Sequence, residues 1–242
     1  HTAGTNVAIG EQVTYRLNAT VQDGVTGAVT LTDDLAAGTA FVTGSAVYRT
    51  ADGVTVIGAN SGTTYTNGSA ILATDITNSG PGGNLVFSFT TVDAPDSVGI
   101  DTDSFQVEYV VQVLDVPGNS GISGSQTTLT NSATANSTGP NLTTPPSTVD
   151  VVVVEPRLQV VKSHNDADRS VSRGQTVTYT LVLSHQAGST ATAFDVNVTD
   201  LVPSGMTITG TPVVLGTTGS PVGVGPVVVA GNTLSLSIDE LP

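Results

Sequence analysis

The chain has 242 residues, Lys+Arg 6 against Asp+Glu 20, a formal net charge of -14, and neither Cys nor Trp. That balance leaves no basic footprint for nucleic acid or anionic lipid, and the lack of Cys removes disulfides, thiolate metal ligands and Cys nucleophiles together. Charged residues are only 11% and aromatics 4%, while Thr and Val each supply roughly one residue in six, the β-branched enrichment that favours strands over helices.

The chain opens on His1-Thr2-Ala3-Gly4, which has neither a charged n-region nor an apolar h-region, so it reads as a mature protein or as a piece cut from something longer. Next, Val13-Thr14-Tyr15-Arg16-Leu17 and Val29-Thr30-Leu31 alternate apolar and polar residues. So do Leu85-Val86-Phe87-Ser88-Phe89, residues 105–113 and residues 149–154, and each segment predicts a strand. Asp23-Gly24, Asp52-Gly53, Asn67-Gly68, Gly80-Pro81-Gly82-Gly83 and Pro117-Gly118-Asn119 lie between them and supply turn chemistry. Short strands punctuated in this way predict a β-sandwich. No apolar run is long enough to span a membrane as a helix.

Self-comparison reveals a repeat. Gly10-Glu11-Gln12-Val13-Thr14-Tyr15 matches Gly174-Gln175-Thr176-Val177-Thr178-Tyr179, an offset of 164 (position 10 against 174). Residues 29–38, which include Val29-Thr30-Leu31-Thr32-Asp33, match residues 196–205, which include Val196-Asn197-Val198-Thr199-Asp200, at an offset of 167 (position 33 against 200). A third block pairs Gly83-Asn84-Leu85-Val86 with Gly231-Asn232-Thr233-Leu234. Glu155-Pro156 marks a junction, because Pro cannot donate to a sheet ladder. The expected organisation is a first repeat over 1–154 whose opening strand is missing, the junction at 155–156, and a second repeat over 157–242 whose closing strands are missing.

These blocks resemble the conserved-repeat domain found in tandem in very large bacterial and archaeal surface proteins, a relative of isopeptide-forming fimbrial domains. The resemblance rests on Gly-x-x-Val-Thr-Tyr at 10–15 and 174–179, Val-x-Val-Thr-Asp-x-x-Pro-x-Gly at 196–205, Thr130-Asn131-Ser132-Ala133-Thr134, and Glu155-Pro156-x-Leu158-x-Val160-x-Lys162. It implies an all-β fold of tandem Ig-like antiparallel β-sandwiches, the second incomplete at its C-terminus. It further implies an extracellular, cell-surface setting as a stalk, adhesin or fimbrial repeat.

Lys162 is the only lysine. In related fimbrial domains a first-strand Lys condenses with a last-strand Asn, assisted by a buried carboxylate. The amine must be uncharged to attack, and a desolvated position supplies that form by lowering the lysine pKa. By position Lys162 matches the lysine, Asp200 the carboxylate and Asn131 the acceptor. Asn131 belongs to the first repeat, so within this chain the set is split. The competing reading, an ordinary solvent-exposed strand lysine, carries more weight because lysines are seldom fully buried.

Two acidic loops are candidates for Ca²⁺: Asn165, Asp166 and Asp168, and Asp93, Asp96, Asp101 and Asp103. Neither has EF-hand spacing, and Asp and Asn favour turns in any case. His1, His164 and His185 show no zinc spacing, and no P-loop or Gly-x-Ser-x-Gly elbow occurs, so no enzyme and no other cofactor is expected.

The expected role is structural, a stalk or repeat segment of a large extracellular surface, adhesin or filament protein, with neighbouring repeats or further copies of itself as partners. Two alternatives stand beside it. One is a subunit that assembles by β-strand complementation into a filament or surface layer. The other is a carbohydrate- or protein-binding module, for which aromatic platforms are scarce.

Overall fold

The computed structural model describes residues 4–96, 102–139, 147–166, 170–216 and 219–242. Contacts divide the chain into two compact units: His1–Ser120 with Gln126–Val153, and Gly121–Ser125 with Val154–Pro242. Apart from a 3₁₀ turn, η1 (Ala73–Asp75), the regular structure of the described residues is all strand.

The first unit is an antiparallel sandwich of two sheets, the β-sandwich that the alternating segments predict. Its strands are β1 (Asn6–Ala8), β2 (Gln12–Gln22), β3 (Gly24–Thr26), β4 (Val29–Asp34), β5 (Thr39–Phe41), β6 (Val47–Arg49), β7 (Thr55–Gly58), β8 (Thr64–Tyr65), β9 (Ile76–Asn78), β10 (Asn84–Ala94), β11 (Thr102–Val113), β12 (Thr128–Ser137) and β13 (Ser147–Val154). One sheet runs β1-β13-β12-β4-β10-β7-β8, with β3 and β9 also on β10. The other runs β2-β11-β5, with β6 also on β11.

Alternation explains how these strands close on one another. Along β10 the side chains of Leu85, Phe87 and Phe89 turn inward, and along β11 those of Phe105, Val107, Tyr109, Val111 and Val113 do the same, all buried. Their rings meet between the sheets. Phe87 lies 5.5 Å from Tyr109, Phe105 stacks on Tyr48 at 5.7 Å, and Phe89 meets Phe105 edge-on at 6.3 Å.

The second unit contains β14 (Leu158–His164), β15 (Tyr179–His185), β16 (Ala193–Leu201), β17 (Val222–Val224), β18 (Val228–Ala230) and β19 (Thr233–Leu241). β14 and β15 form one antiparallel sheet, and β16-β19-β17, with β18 on β19, form another. The buried apolar side chains here are small in number and size: Val154, Ala193, Val202, Ile238 and Leu241. Phe194 is 50% exposed and Leu201 72%. Exposed apolar area of this kind marks a surface that covers itself less completely than the first sandwich.

Register refines the internal repeat. Asp33 faces Leu85 across β4 and β10, and Asp200 faces Leu234 across β16 and β19. Leu234 is therefore the structural counterpart of Leu85, one residue along from the alignment of the third sequence block. The difference is one residue in the turn that precedes β19.

Phe105→Ala is expected to destabilise the first unit by about 3–5 kcal/mol through the cavity it leaves. Phe194→Ala, at a half-exposed ring, should change stability by no more than about 0.5 kcal/mol. Denaturant unfolding followed by site-resolved hydrogen exchange would assign each transition to its unit.

Candidate functional site

β4 and β16 carry aligned segments, Leu31-Thr32-Asp33 and Val198-Thr199-Asp200, each ending on a carboxylate. In the first unit this is Asp33, which is fully buried. Tyr109 donates its hydroxyl to Asp33 Oδ2 at 2.5 Å, and Asn131 Nδ2 donates to Oδ1 and Oδ2 at 2.9 and 3.1 Å. β12 brings Asn131 here because it pairs with β4 in the same sheet. Burial pushes the Asp33 carboxyl above the ordinary carboxylate range. The hydrogen bonds from Tyr109 and Asn131 offset part of that rise, and the neighbouring Asp34 charge adds to it. The Tyr109 hydroxyl is driven up as well, by burial first and then by the Asp33 charge. Asn131 is itself buried, at 6% exposure, and its Oδ1 has no hydrogen-bond partner among the described residues.

In the second unit, Lys162 on β14 reaches Asp200 on β16, with Nζ to Oδ1 and Oδ2 at 2.6 and 2.8 Å. The ammonium also lies 4.6 Å from the centre of the Tyr179 ring. The lysine side chain is 34% exposed and the aspartate 12%, so the pair is partly wet. The first unit thus places a carboxylate with an amide, and the second a carboxylate with an amine. Lys162 and Asp200 come together as their positions suggested, while the carboxylate beside Asn131 is Asp33. The sequence carried the signal for Asp33, since the Val-Thr-Asp alignment sets it against Asp200. No sequence pattern pointed to Tyr109.

The acidic loops have a different geometry. Asp93 on β10 and Asp96 beyond it are exposed, and Asp103 on β11 is buried opposite Val21. The Asp103 carboxyl is pushed up by burial and then by the Asp23 and Asp52 charges. Asn165 Oδ1 accepts the Thr178 backbone N–H, and the Asp166 backbone N–H donates to His164 Nδ1. Asp101, Asp168 and His1 lie outside the described residues. Among the described residues, no group of three His, Cys, Asp or Glu side chains is arranged to hold a metal ion. His185 sits between Ser189 Oγ at 2.6 Å and the Leu241 carbonyl at 3.0 Å, so its Nε2 carries the proton.

A further buried carboxylate, absent from the sequence reading, is Asp75 in η1. It accepts from the Ser61 and Tyr65 hydroxyls and from the backbone N–H groups of Asn60 and Ser61. Burial alone would raise its pKa, but these four donors outweigh it and hold the carboxyl below the usual value. Gly58 is required beside it, since a Cβ there would lie 2.1 Å from Asp75 Oδ2.

No protein family and no curated protein matches the chain. Among solved structures, the chain is similar to the collagen-binding subdomain of the Enterococcus faecalis surface protein ACE, with 17% identity, 63% of this chain and 98% of that one covered, and a TM-score of 0.33. It is similar to the collagen-binding domain of a Staphylococcus aureus adhesin, with 15% identity, coverage of 59% and 87%, and a TM-score of 0.32. It is also similar to BcpA, the major pilin subunit of Bacillus cereus, with 13% identity, coverage of 97% and 63%, and a TM-score of 0.42. At these scores the likeness is loose, and the fold assignment stands on the chain's own sheets.

Asp33 and Asp75 give opposite pH signatures. Asp33 has a raised folded pKa, so its contribution is most favourable below the unfolded value of 3.8 and is lost as pH rises through the folded value. Asp75 has a lowered one, so its contribution is present above 3.8 and disappears as pH falls through the folded value. Asp33→Asn should therefore remove a component of stability loss on going from acid to neutral pH, seen as a flatter urea-midpoint profile. Asp75→Ala should cost about 1–3 kcal/mol at neutral pH, because the buried Tyr65 hydroxyl loses its acceptor, and less in acid.

Proposed function

We propose that the chain is a structural segment of an extracellular surface or filament protein, with no catalytic turnover of its own. The observation that supports this most directly is the repeat itself. Two β units carry a carboxylate at the aligned position, Asp33 in the first and Asp200 in the second. Tandem sandwiches of this kind transmit load and set distance, and a net charge of -14 keeps the array soluble. Asp33 buried beside Asn131, and Asp200 paired with Lys162, suit a Lys–Asp–Asn crosslink completed by chain outside each unit's own set. In that step the lysine amine would bond to the Asn131 carboxamide carbon, with ammonia leaving and the Asp33 carboxylate relaying the proton.

An antibody raised against the chain should label intact cells of the source organism before permeabilisation. Labelling that requires permeabilisation would overturn the surface assignment. Arrays of glycans and matrix proteins, collagens included, should return no saturable binding to the isolated chain. A tight, specific hit would replace the structural reading with a binding one.

A further inference from the structure

Where β2 ends and β11 begins, three aspartates come together. Asp103, the second residue of β11, is opposite Val21 on β2 and only 3% exposed. Alternation carried one step beyond β2 returns Asp23 to the face that Val21 and Asp103 share. Asp52 is held close by the next residue of β11, since Ser104 donates its backbone N–H and its hydroxyl to Asp52 Oδ2, each at 2.8 Å. The charges of Asp23 and Asp52 both reach Asp103, where they add to burial in raising its carboxyl.

Crowded like charge is not in itself a binding site. What distinguishes this cluster is that two of its oxygens, Asp23 Oδ1 and Asp103 Oδ2, are shut off from solvent and have no hydrogen-bond partner. A carboxylate oxygen removed from water needs a donor or a cation. Asp33 and Asp75 receive donors, from Tyr109 and Asn131 in one case and from Ser61 and Tyr65 in the other. No ion pair among the described residues reaches Asp23, Asp52 or Asp103, and Arg16 and Arg49, which face β11, are both bound to Glu108. Two carboxylates on one face are balanced by a single divalent ion, whereas one ammonium would leave a charge over.

We propose that Asp23 and Asp103 form a Ca²⁺ site at this end of the first unit, ligating through Asp23 Oδ1 and Asp103 Oδ2. Asp52 adds negative charge beside the ion and is not a third ligand. Ca²⁺ accepts oxygen ligands in flexible geometry and completes its shell with backbone carbonyls and water. Two side-chain carboxylates therefore suffice, and no group of three ligating side chains is required. Mg²⁺ demands near-ideal octahedral geometry and dehydrates reluctantly, which disfavours it between two shielded oxygens. The sequence groups Asp103 with Asp93 and Asp96, both exposed; the register of β2 on β11 gives it Asp23 instead.

The test titrates Ca²⁺ into the whole chain, stripped with EDTA and dialysed, and reads binding by calorimetry and by the urea midpoint of the first unit. One saturable site is expected, with Kd about 10⁻⁴–10⁻³ M because only two charged ligands contribute. Mg²⁺ should bind at least about tenfold more weakly, and the midpoint should rise as Ca²⁺ is added. Asp103→Asn should weaken Ca²⁺ binding at least about tenfold. Asp23→Asn, at a part-buried turn, should do the same, and it keeps the test decisive where Asp103→Asn fails to fold. Asp93→Asn should leave binding unchanged. Neither heat nor midpoint shift at about ten times the upper Kd, or binding that survives both Asp23→Asn and Asp103→Asn as general attraction to an acidic surface, would overturn the proposal. A first unit whose stability responds to pH through Asp103 and not to Ca²⁺ would assign the two oxygens to a shared proton and overturn it as well.

Discussion

A carboxylate enclosed between two β-sheets must be answered by donors or by a cation, and the interiors of both units are arranged around that requirement. Removal from water disfavours the charged form unless hydrogen bonds or an opposite charge replace the lost solvation. Asp75, Asp33 and Asp200 rank by what surrounds them. Asp75 gathers two hydroxyls and two backbone N–H groups, and its carboxyl falls below the ordinary range. Asp33 has one hydroxyl and one amide, which do not cover the burial cost, and its carboxyl rises. Asp200 is given a lysine. The aligned segments Leu31-Thr32-Asp33 and Val198-Thr199-Asp200 thus end in two different electrostatic situations, decided by the side chains that meet each carboxylate.

That difference runs parallel to the packing. Tyr15, Phe41, Tyr48, Tyr65, Phe87, Phe89, Phe105 and Tyr109 all lie in the first unit, most of them ring against ring. Large rings bury much area per residue and hold their neighbours in place, so an under-solvated carboxylate can be tolerated among them. The second unit has Val, Ala, Ile and Leu in its place, with Phe194 turned half to solvent. Its Lys162–Asp200 pair keeps access to water, which reduces both the desolvation cost and the net gain from pairing.

Alternation made the sheets legible in the sequence. The apolar positions of residues 85–89 and 105–113 are the inward residues of β10 and β11, because period two has one structural meaning. Pairing between distant strands was not legible, since register depends on contacts that no local pattern records. The one-residue shift that matches Leu234 with Leu85 shows this, as turn length is invisible to block matching. Lys162 and Asp200 were candidates by position, while Asp33, though aligned with Asp200, was not among the candidates. Asn131 was found for its motif, whereas its neighbour Tyr109 was hidden inside an ordinary strand. Asp75 gave no signal at all, because its donors lie in irregular segments whose course the sequence does not specify.

Edge strands are usually guarded by Lys, Pro, bulges or short length, because an exposed ladder invites pairing with any similar strand. The other sheet of the first unit ends on β8, which has only 2 residues. β2 is 11 residues long, contains no Pro and no Lys, and carries one Arg that is already bound to Glu108 on β11. An unguarded edge in an otherwise guarded fold must be limited by something less local. A net charge of -14 adds a repulsion between copies that weakens as salt rises.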